Sequence, residues 1–318
     1  MVQHFLLSAK ARTLSLRSIY QGGEDAAYQT FCKLRWTETD GEPVCSRCGC
    51  VEAYSITTRR KFKCAACYHQ YSVTSGTIFA SRKMSFTDLL AAICIFVNAV
   101  KGVSALQLAR DLDCQHKTAF VLSHKLREAL ASDMAKSLDD HVEIDGAYFG
   151  GHIRPANEAA NRVDRRLAEH QTGSRRVVIA LRERGGRTMT FVTKNEAEGV
   201  AIATRVAAKG TIFYADEASH WDALHATYRT FRINHAQAYS KSGVSTNQAE
   251  SYFSRLRRLV AGQHHHVSPK YLHAYAIQAG WLEDHRRNDN GSNASRTLGL
   301  ALASPVSRQW AGYWQRAA

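Results

Sequence analysis

Two aspartates and a glutamate stand where a metal-dependent site could be built. Asp145 lies in the β-rich run Val142-Glu143-Ile144-Asp145-Gly146-Ala147-Tyr148-Phe149, and Asp216 ends a second such run that begins at Thr211. Glu250 falls in a later run, Thr246 to Arg257, that reads as a helix capped by Thr246. Carboxylates gathered this way repel one another unless cations sit between them. Phosphoryl transfer on a nucleic acid needs such a cluster: oxygen ligands hold two Mg²⁺ or Mn²⁺ ions roughly 4 Å apart, one serving the attacking oxygen and the other the leaving oxygen. A different centre is spelled by Cys45-x-x-Cys48 and Cys64-x-x-Cys67, with 15 residues between the pairs. That spacing reads as a four-thiolate zinc site. With every position filled by sulfur, no opening is left for substrate, so its expected role is structural. The competing reading is four buried, unliganded cysteines.

The elements around these residues can be drawn from periodicity. Around the cysteines, Tyr54, Ile56 and Phe62 alternate with polar residues, Gly49 follows the first pair where a tight turn needs it, and Gln70 to Val73 follows the second. This predicts a zinc ribbon, a sheet too small to hold a core without its metal. Its hairpin carries Arg59-Arg60-Lys61-Phe62-Lys63, a basic cluster suited to phosphates, although a solvated turn reads the same way. The unpaired Cys32, Cys50, Cys94 and Cys114 are expected to be small core residues.

From Ser85 to Leu130 the period is helical. Ser85 and Asp88 suggest a capping box, with Leu89, Leu90, Ile93, Phe96, Val97 and Val100 on one apolar face. A short helix from Ser104 to Asp113, with Leu106, Ala109 and Leu112 inward, is followed by a third that begins near His116 and buries Ala119, Leu122, Leu126, Ala129 and Leu130. Two helices joined by a tight turn suggest a helix-turn-helix-like unit, which would put His116, Lys117 and Thr118 at the DNA-facing end of a recognition helix. An ordinary three-helix packing unit remains the alternative.

Beyond the Asp145 strand, His152 to Ser174 is a polar stretch with Arg154, Arg162, Arg165 and Arg166, and is expected to be a loop. Arg176–Leu181 and Thr188–Thr193 form a hairpin across Gly185-Gly186, and helices from Glu196 and around Trp221 separate the strands that follow. The expected product is a mixed sheet with helices packed on it.

The 318 residues contain 42 Lys and Arg against 28 Asp and Glu, a net charge of +14 that favours a polyanionic partner, with a merely basic protein as the alternative. The longest apolar run, Leu89 to Val97, is too short to span a bilayer. Lys10 and Arg12 interrupt the N-terminal apolar patch, so no secretion signal is expected. The expected location is the reducing cytoplasm, on the nucleoid when DNA is bound.

The succession CSRCG, CAACYHQYSVTSGTIF, HKTAF, VEIDGAYFGG, YADEASHW and TNQAESYFSRLRRL resembles the zinc-ribbon insertion-sequence transposases of the DDE class. The resemblance runs from about Phe31 to Arg287, and the order of the motifs is part of it. It implies an α+β multidomain chain with a ribonuclease H-like core. The implied segments are an N-terminal helical lead (1–40), the ribbon (41–80), the helix-turn-helix-like segment (81–135), the catalytic core (136–290) and a C-terminal tail (291–318). It also implies that double-stranded DNA, both element ends and target, is the partner, and that the chain works as a homo-oligomer.

In that family the two aspartates correspond to Asp145 and Asp216. The third position is held by Asn or Glu, and here Asn247 and Glu250 both occur, three apart on one helix face. Glu250 is the preferred third magnesium ligand and Asn247 its neighbour. Arg257 stands where the family more often has lysine, which suits phosphate binding. His235 falls where the family tends to have histidine; a structural role is the expected one, with a catalytic role as the alternative. His264-His265-His266 reads as a polar loop, and Trp281 to Arg287 resembles the closing helix, with Gln278 and Gly280 before it departing from the acidic, more helical run that the family implies. The reading from a different class is a zinc-ribbon DNA-binding regulator, or a degenerate transposase, whose acids are structural. A nuclease without strand transfer would share the same site.

Overall fold

Local signals set most element ends. The side chain of Ser15 accepts the Ser18 N–H and starts a helix, Ser85 does the same from Asp88, and Ser104 from Gln107. The computed structural model describes residues 5–134, 137–151, 155–164, 167, 170 and 173–315. In chain order its main elements are α1 (Leu16–Arg35, broken at Gly23), β1 (Ala53–Ile56), β2 (Lys61–Cys64), β3 (Gln70–Tyr71), α2 (Phe86–Asn98), α3 (Ala105–Asp111) and α4 (His116–Ala131). There follow β4 (His141–Phe149), β5 (Arg176–Glu183), β6 (Thr188–Thr193), α5 (Glu198–Val206), β7 (Ile212–Asp216) and β8 (Arg229–Ile233). The last are α6 (Asn247–Arg257), α7 (Pro269–Asp284) and α8 (Asn290–Ala303). The result is a mixed α+β protein in two units, 1–133 with 286–318, and 134–285.

In the first unit the ribbon is a three-stranded antiparallel sheet in the order β1-β2-β3. Trp36 sets its edge against Phe62 and Tyr71, so a residue just past α1 supplies the core that so small a sheet lacks. The Glu24 carboxylate on α1 accepts the N–H groups of Phe86 and Thr87 at 3.0 and 2.9 Å and so caps α2 from outside its own chain segment. Helix α8 packs on α1, α2 and α4.

Some expectations fail here. Helix α2 ends at Asn98 and Val100 is exposed. Leu106 is exposed because α3 buries Leu108 and Ala109, and two residues correspond to about 200° around a helix. Cys32 and Cys94 are buried as expected, while Cys50 and Cys114 are only half-buried.

The second unit is a five-stranded mixed sheet in the order β6-β5-β4-β7-β8. The pairs β6/β5 and β5/β4 are antiparallel, and β4/β7 and β7/β8 parallel. Strand alternation sorts its residues. Val142, Ile144, Phe213 and Ala215 face one apolar cluster with α5 residues and Trp221. Ala147, Phe149, Val178 and Ala180 face another, built from α6 and α7. The buried Gly280 lets α7 lie close over β6: a Cβ there would sit 3.4 Å from the Thr188 side chain. Asp284 fixes that end of α7 by accepting from the Thr188 N–H at 2.9 Å and from Arg182 at 2.6 Å.

His152, Arg154, Arg165 and Arg166 of the expected arginine-rich loop lie outside the described residues. The described part of that loop holds one short helical turn, Ala159–Asn161. Among the described residues no helix is long and apolar enough to cross a membrane.

Candidate functional site

The ribbon brings Cys45, Cys48, Cys64 and Cys67 together with all four sulfurs within 4.8 Å of one another. The Sγ atoms of Cys45 and Cys67 are 3.6 Å apart, and those of Cys48 and Cys64 3.5 Å. Four sulfurs each about 2.3 Å from a central zinc would be separated by about 3.8 Å, so the donor set fits a tetrahedral ion. The turn within each pair helps, because its backbone N–H groups point inward at the first sulfur. The Cys67 N–H points at Cys64 Sγ at 3.4 Å, and this contact above all pulls the Cys64 thiol down to about 6. Gly49 turns the first knuckle with φ of 75°, as its place in the sequence requires. Zinc here is structural.

The carboxylates are placed by strand register. β4 and β7 run parallel with His141 opposite Ile212, an offset of 71 positions, and Asp145 and Asp216 are separated by the same 71. Continued two residues past its last bridged pair, Glu143–Tyr214, this register brings the two aspartates side by side. Their neighbourhood is electrostatically one site. Burial, opposed by the N–H of Gly146 at 2.7 Å, pushes the Asp145 carboxyl up to about 7, with Asp216 and Glu250 adding to the rise and Arg257 opposing it. Among the described residues, the four cysteines alone form a group of three or more ligand side chains gathered within 4.8 Å. The three carboxylates are thus more widely spread than the sulfurs.

Glu250 is held by contacts on its own side of the site. His235, just past β8, places its Nε2 at 3.3 Å from Glu250 Oε1 and 2.8 Å from Thr246 Oγ1. Thr246 therefore occupies the cap position of α6 without capping it by its side chain, which is turned to His235 instead. Asn247 is exposed at the start of α6, and Arg257 is exposed at its end with its guanidinium 5.7 Å from the Phe253 ring. His264 stacks edge-on against Tyr275 at 4.7 Å in a π-helical turn.

Two acids that sequence reasoning passed over complete this region. Glu143 is fully buried, and its Oε2 accepts the N–H groups of Gln248 and Ala249 at 2.7 and 3.0 Å, while Arg184 donates to Oε1 at 2.9 Å. A strand carboxylate thus caps the helix that carries Glu250 and ties it to the strand that carries Asp145. The signal was present, since Glu143 is two residues before Asp145 and must share its face of the strand.

The second is Glu196, in the turn before α5. Its side chain lies over Gly146, where a Cβ would come within 2.8 Å of Glu196 Cγ. Its carboxyl is raised first by burial, lowered by His220 and raised by Asp216, and its Oε2 is 3.6 Å from His220 Nε2. No spacing rule finds Glu196, because only the fold brings that turn over β4.

The basic residues proposed for DNA fare differently. His116, Lys117 and Thr118 are exposed on the first turn of α4. Arg59 and Lys61 are also exposed, but Arg60 is drawn back to α1, 2.7 Å from Asp25 and 5.0 Å from the Tyr28 ring.

Comparison with known families gives two matches. Residues 137–284 match the ISXO2-like transposase domain, and residues 22–70 the transposase zinc-ribbon domain of the same IS1595 type. No curated protein matches the chain.

Proposed function

The chain belongs to the zinc-ribbon insertion-sequence transposases, and from that premise we propose that it is a DDE-type DNA transposase that binds the ends of its element and then cuts and joins DNA. In this reading residues 134–285 are a ribonuclease H-like catalytic core, and α3 and α4 a helix-turn-helix-like binder that works with the ribbon. The observation that carries the catalytic half is the shared 71-residue offset of the β4/β7 register and of Asp145 and Asp216, together with the Glu143 cap that fixes α6 to β4.

The donor set is all oxygen, which suits Mg²⁺ or Mn²⁺. A half-buried carboxyl crowded by two others, with Arg257 opposing them, suits it further. Asp145, Asp216 and Glu250 would hold the ions, which when bound supply Lewis acidity at the attacking and leaving oxygens. Two ions a few ångströms apart do not require all three carboxylates to touch one another, so a spread wider than that of the zinc ligands is compatible with them.

The chain's own groups do the positioning. His235 orients Glu250, and Arg257 offers a phosphate contact. Glu196 lies over Gly146 on the other face of β4 from Asp145, 3.6 Å from His220, and acts on the site through its charge near Asp216. Water's oxygen attacks the phosphorus at the element end, and the bond to the 3′ oxygen breaks to leave a 3′-hydroxyl. That hydroxyl then attacks a phosphate of the target strand and displaces a target 3′ oxygen.

The test is a pair of variants. Asp145→Asn and Asp216→Asn should each lower cleavage and strand transfer by about 10³-fold or more while leaving binding to element ends within a few-fold. Cutting at the wild-type rate by either variant would refute the catalytic assignment. End binding with no metal-dependent cleavage by the wild type would favour the regulator, and cleavage without joined product would favour a simple nuclease.

A further inference from the structure

Between the loop that precedes α2, one face of α4 and the C-terminal segment 306–315 lies a cleft of about 560 Å³, within the usual range for a small-molecule site. All of it belongs to the first unit. Four cations line it, Arg82, Lys83, Lys117 and Lys125, and no acid does. The rest of the wall is largely apolar and aromatic, with Phe79 at one side and Trp310, Tyr313 and Trp314 at the other.

The aromatic wall is built and not incidental. Trp310 is buried and stacks on His124 of α4 at 4.2 Å, which fixes the C-terminal segment against the helix. The Ser307 hydroxyl holds the same segment by donating to Glu128 at 2.6 Å. Trp314 meets Tyr313 edge-on at 5.1 Å but keeps 48% of its surface exposed, an indole held in place with much of its surface uncovered. Lys117 Nζ lies 5.5 Å from the Trp314 ring, so a cation and an aromatic surface are presented together. Lys125 is partly stripped of water, which lowers its pKa, and Glu128 only in part offsets this. An ammonium in that position gains from an added anion.

An aromatic surface beside several cations, with no carboxylate in the lining itself, matches one ligand chemistry: a planar base joined to a phosphate. Lys117 and Thr118 of the cleft are also the residues at the exposed start of α4, where the binder reading puts DNA. We propose that this cleft takes one unpaired nucleotide of a DNA strand, its base stacked on Trp314 and its phosphates met by Lys83 and Lys117. This rests on the reading of the first unit as a DNA binder and adds to it a site for a base outside the duplex. Extruding or melting a nucleotide at an element end costs a few kcal/mol of stacking and pairing, and such a cleft would offset that cost.

The experiment compares two labelled DNAs on the full, zinc-loaded chain by fluorescence anisotropy: a paired duplex and the same duplex with one unpaired thymidine. The bulged duplex should bind about 5- to 150-fold more tightly, the range that stacking of one base on an aromatic side chain supplies. Trp314→Ala should remove that advantage with paired-duplex affinity unchanged, and Trp314→Phe should retain most of it. A 5-iododeoxyuridine at the unpaired position should crosslink to the peptide that contains Trp314.

Equal affinity for the two DNAs overturns the proposal and spares end binding. A preference that survives Trp314→Ala also overturns it, because bending at the bulge would then explain it. So does free thymidine monophosphate that competes as tightly as the bulged duplex, since the cleft would then serve a soluble nucleotide. Binding of the bulged duplex without any binding of the paired one supports the cleft and refutes duplex end recognition.

Discussion

Asp145→Asn should make the cation-free protein more stable at pH 8 and change little in acid. The Asp145 carboxyl rises from 3.8 to about 7, first because burial removes its water and then because Asp216 and Glu250 are near. A carboxyl that binds its proton more tightly in the folded state opposes folding once the unfolded chain would ionise it. The native protein therefore loses stability as pH rises from about 4, and the loss is complete above about 7. At about 1.4 kcal/mol per pKa unit the full penalty is at most roughly 4 kcal/mol, of which about 2–3 kcal/mol develops between pH 5 and pH 8. Asparagine has a similar shape and no charge, so the variant lacks that slope.

The assay is urea unfolding of the zinc-loaded protein in magnesium-free buffer at several pH values, wild type against Asp145→Asn. The difference between the two profiles cancels the titrating groups that are not coupled to Asp145, and keeps the response of Asp216 and Glu250, which are. Added Mg²⁺ at pH 8 should recover stability in the wild type and much less in the variant. Parallel pH profiles, or a variant that is less stable than wild type at pH 8, would refute the picture of Asp145 as a half-buried carboxyl crowded by two others.

Glu143→Ala should destabilise the second unit by about 3–5 kcal/mol, because Arg184 and the two N–H groups at the start of α6 lose their partner. The milder Glu143→Gln should leave a folded protein, by circular dichroism, whose cleavage falls while end binding persists. Removal of zinc by a strong chelator, or Cys64→Ser, should unfold the ribbon and abolish salt-sensitive DNA binding, read by near-ultraviolet dichroism and anisotropy, while the transition of residues 134–285 is retained. Gly146→Ala should displace Glu196 and slow cleavage with a stability change below about 1–2 kcal/mol, since the clash falls on a flexible side chain. Adding Glu196→Ala to that variant relieves the clash, and a rate unchanged in both would remove Glu196 from the site.

Much of the site could be read in the chain. Cys45, Cys48, Cys64 and Cys67 were legible because ligand spacing within a knuckle is a local matter of a few backbone dihedrals. Gly49 was legible because its turn needs a positive φ. The buried face of α4 followed from helical period alone, and the whole set Ala119, Leu122, Leu126, Ala129 and Leu130 is buried. Leu106 and Val100 were misplaced because a short helix fixes its rotation by the neighbour it packs on, and its end by that neighbour's extent.

The residues Asp145, Asp216 and Glu250 could be named from the sequence as acids on two strands and a helix, but not their mutual placement. That depends on a parallel register between strands about seventy residues apart and on the buried Glu143 that draws α6 onto β4. Glu196 over Gly146, and the C-terminal tryptophans against α4, were wholly outside what the sequence determines. Metal ligands within one knuckle are fixed by bonds close along the chain, so residue type and spacing define them. A site assembled from distant segments is fixed by packing and buried charge, which exist only once the chain has folded.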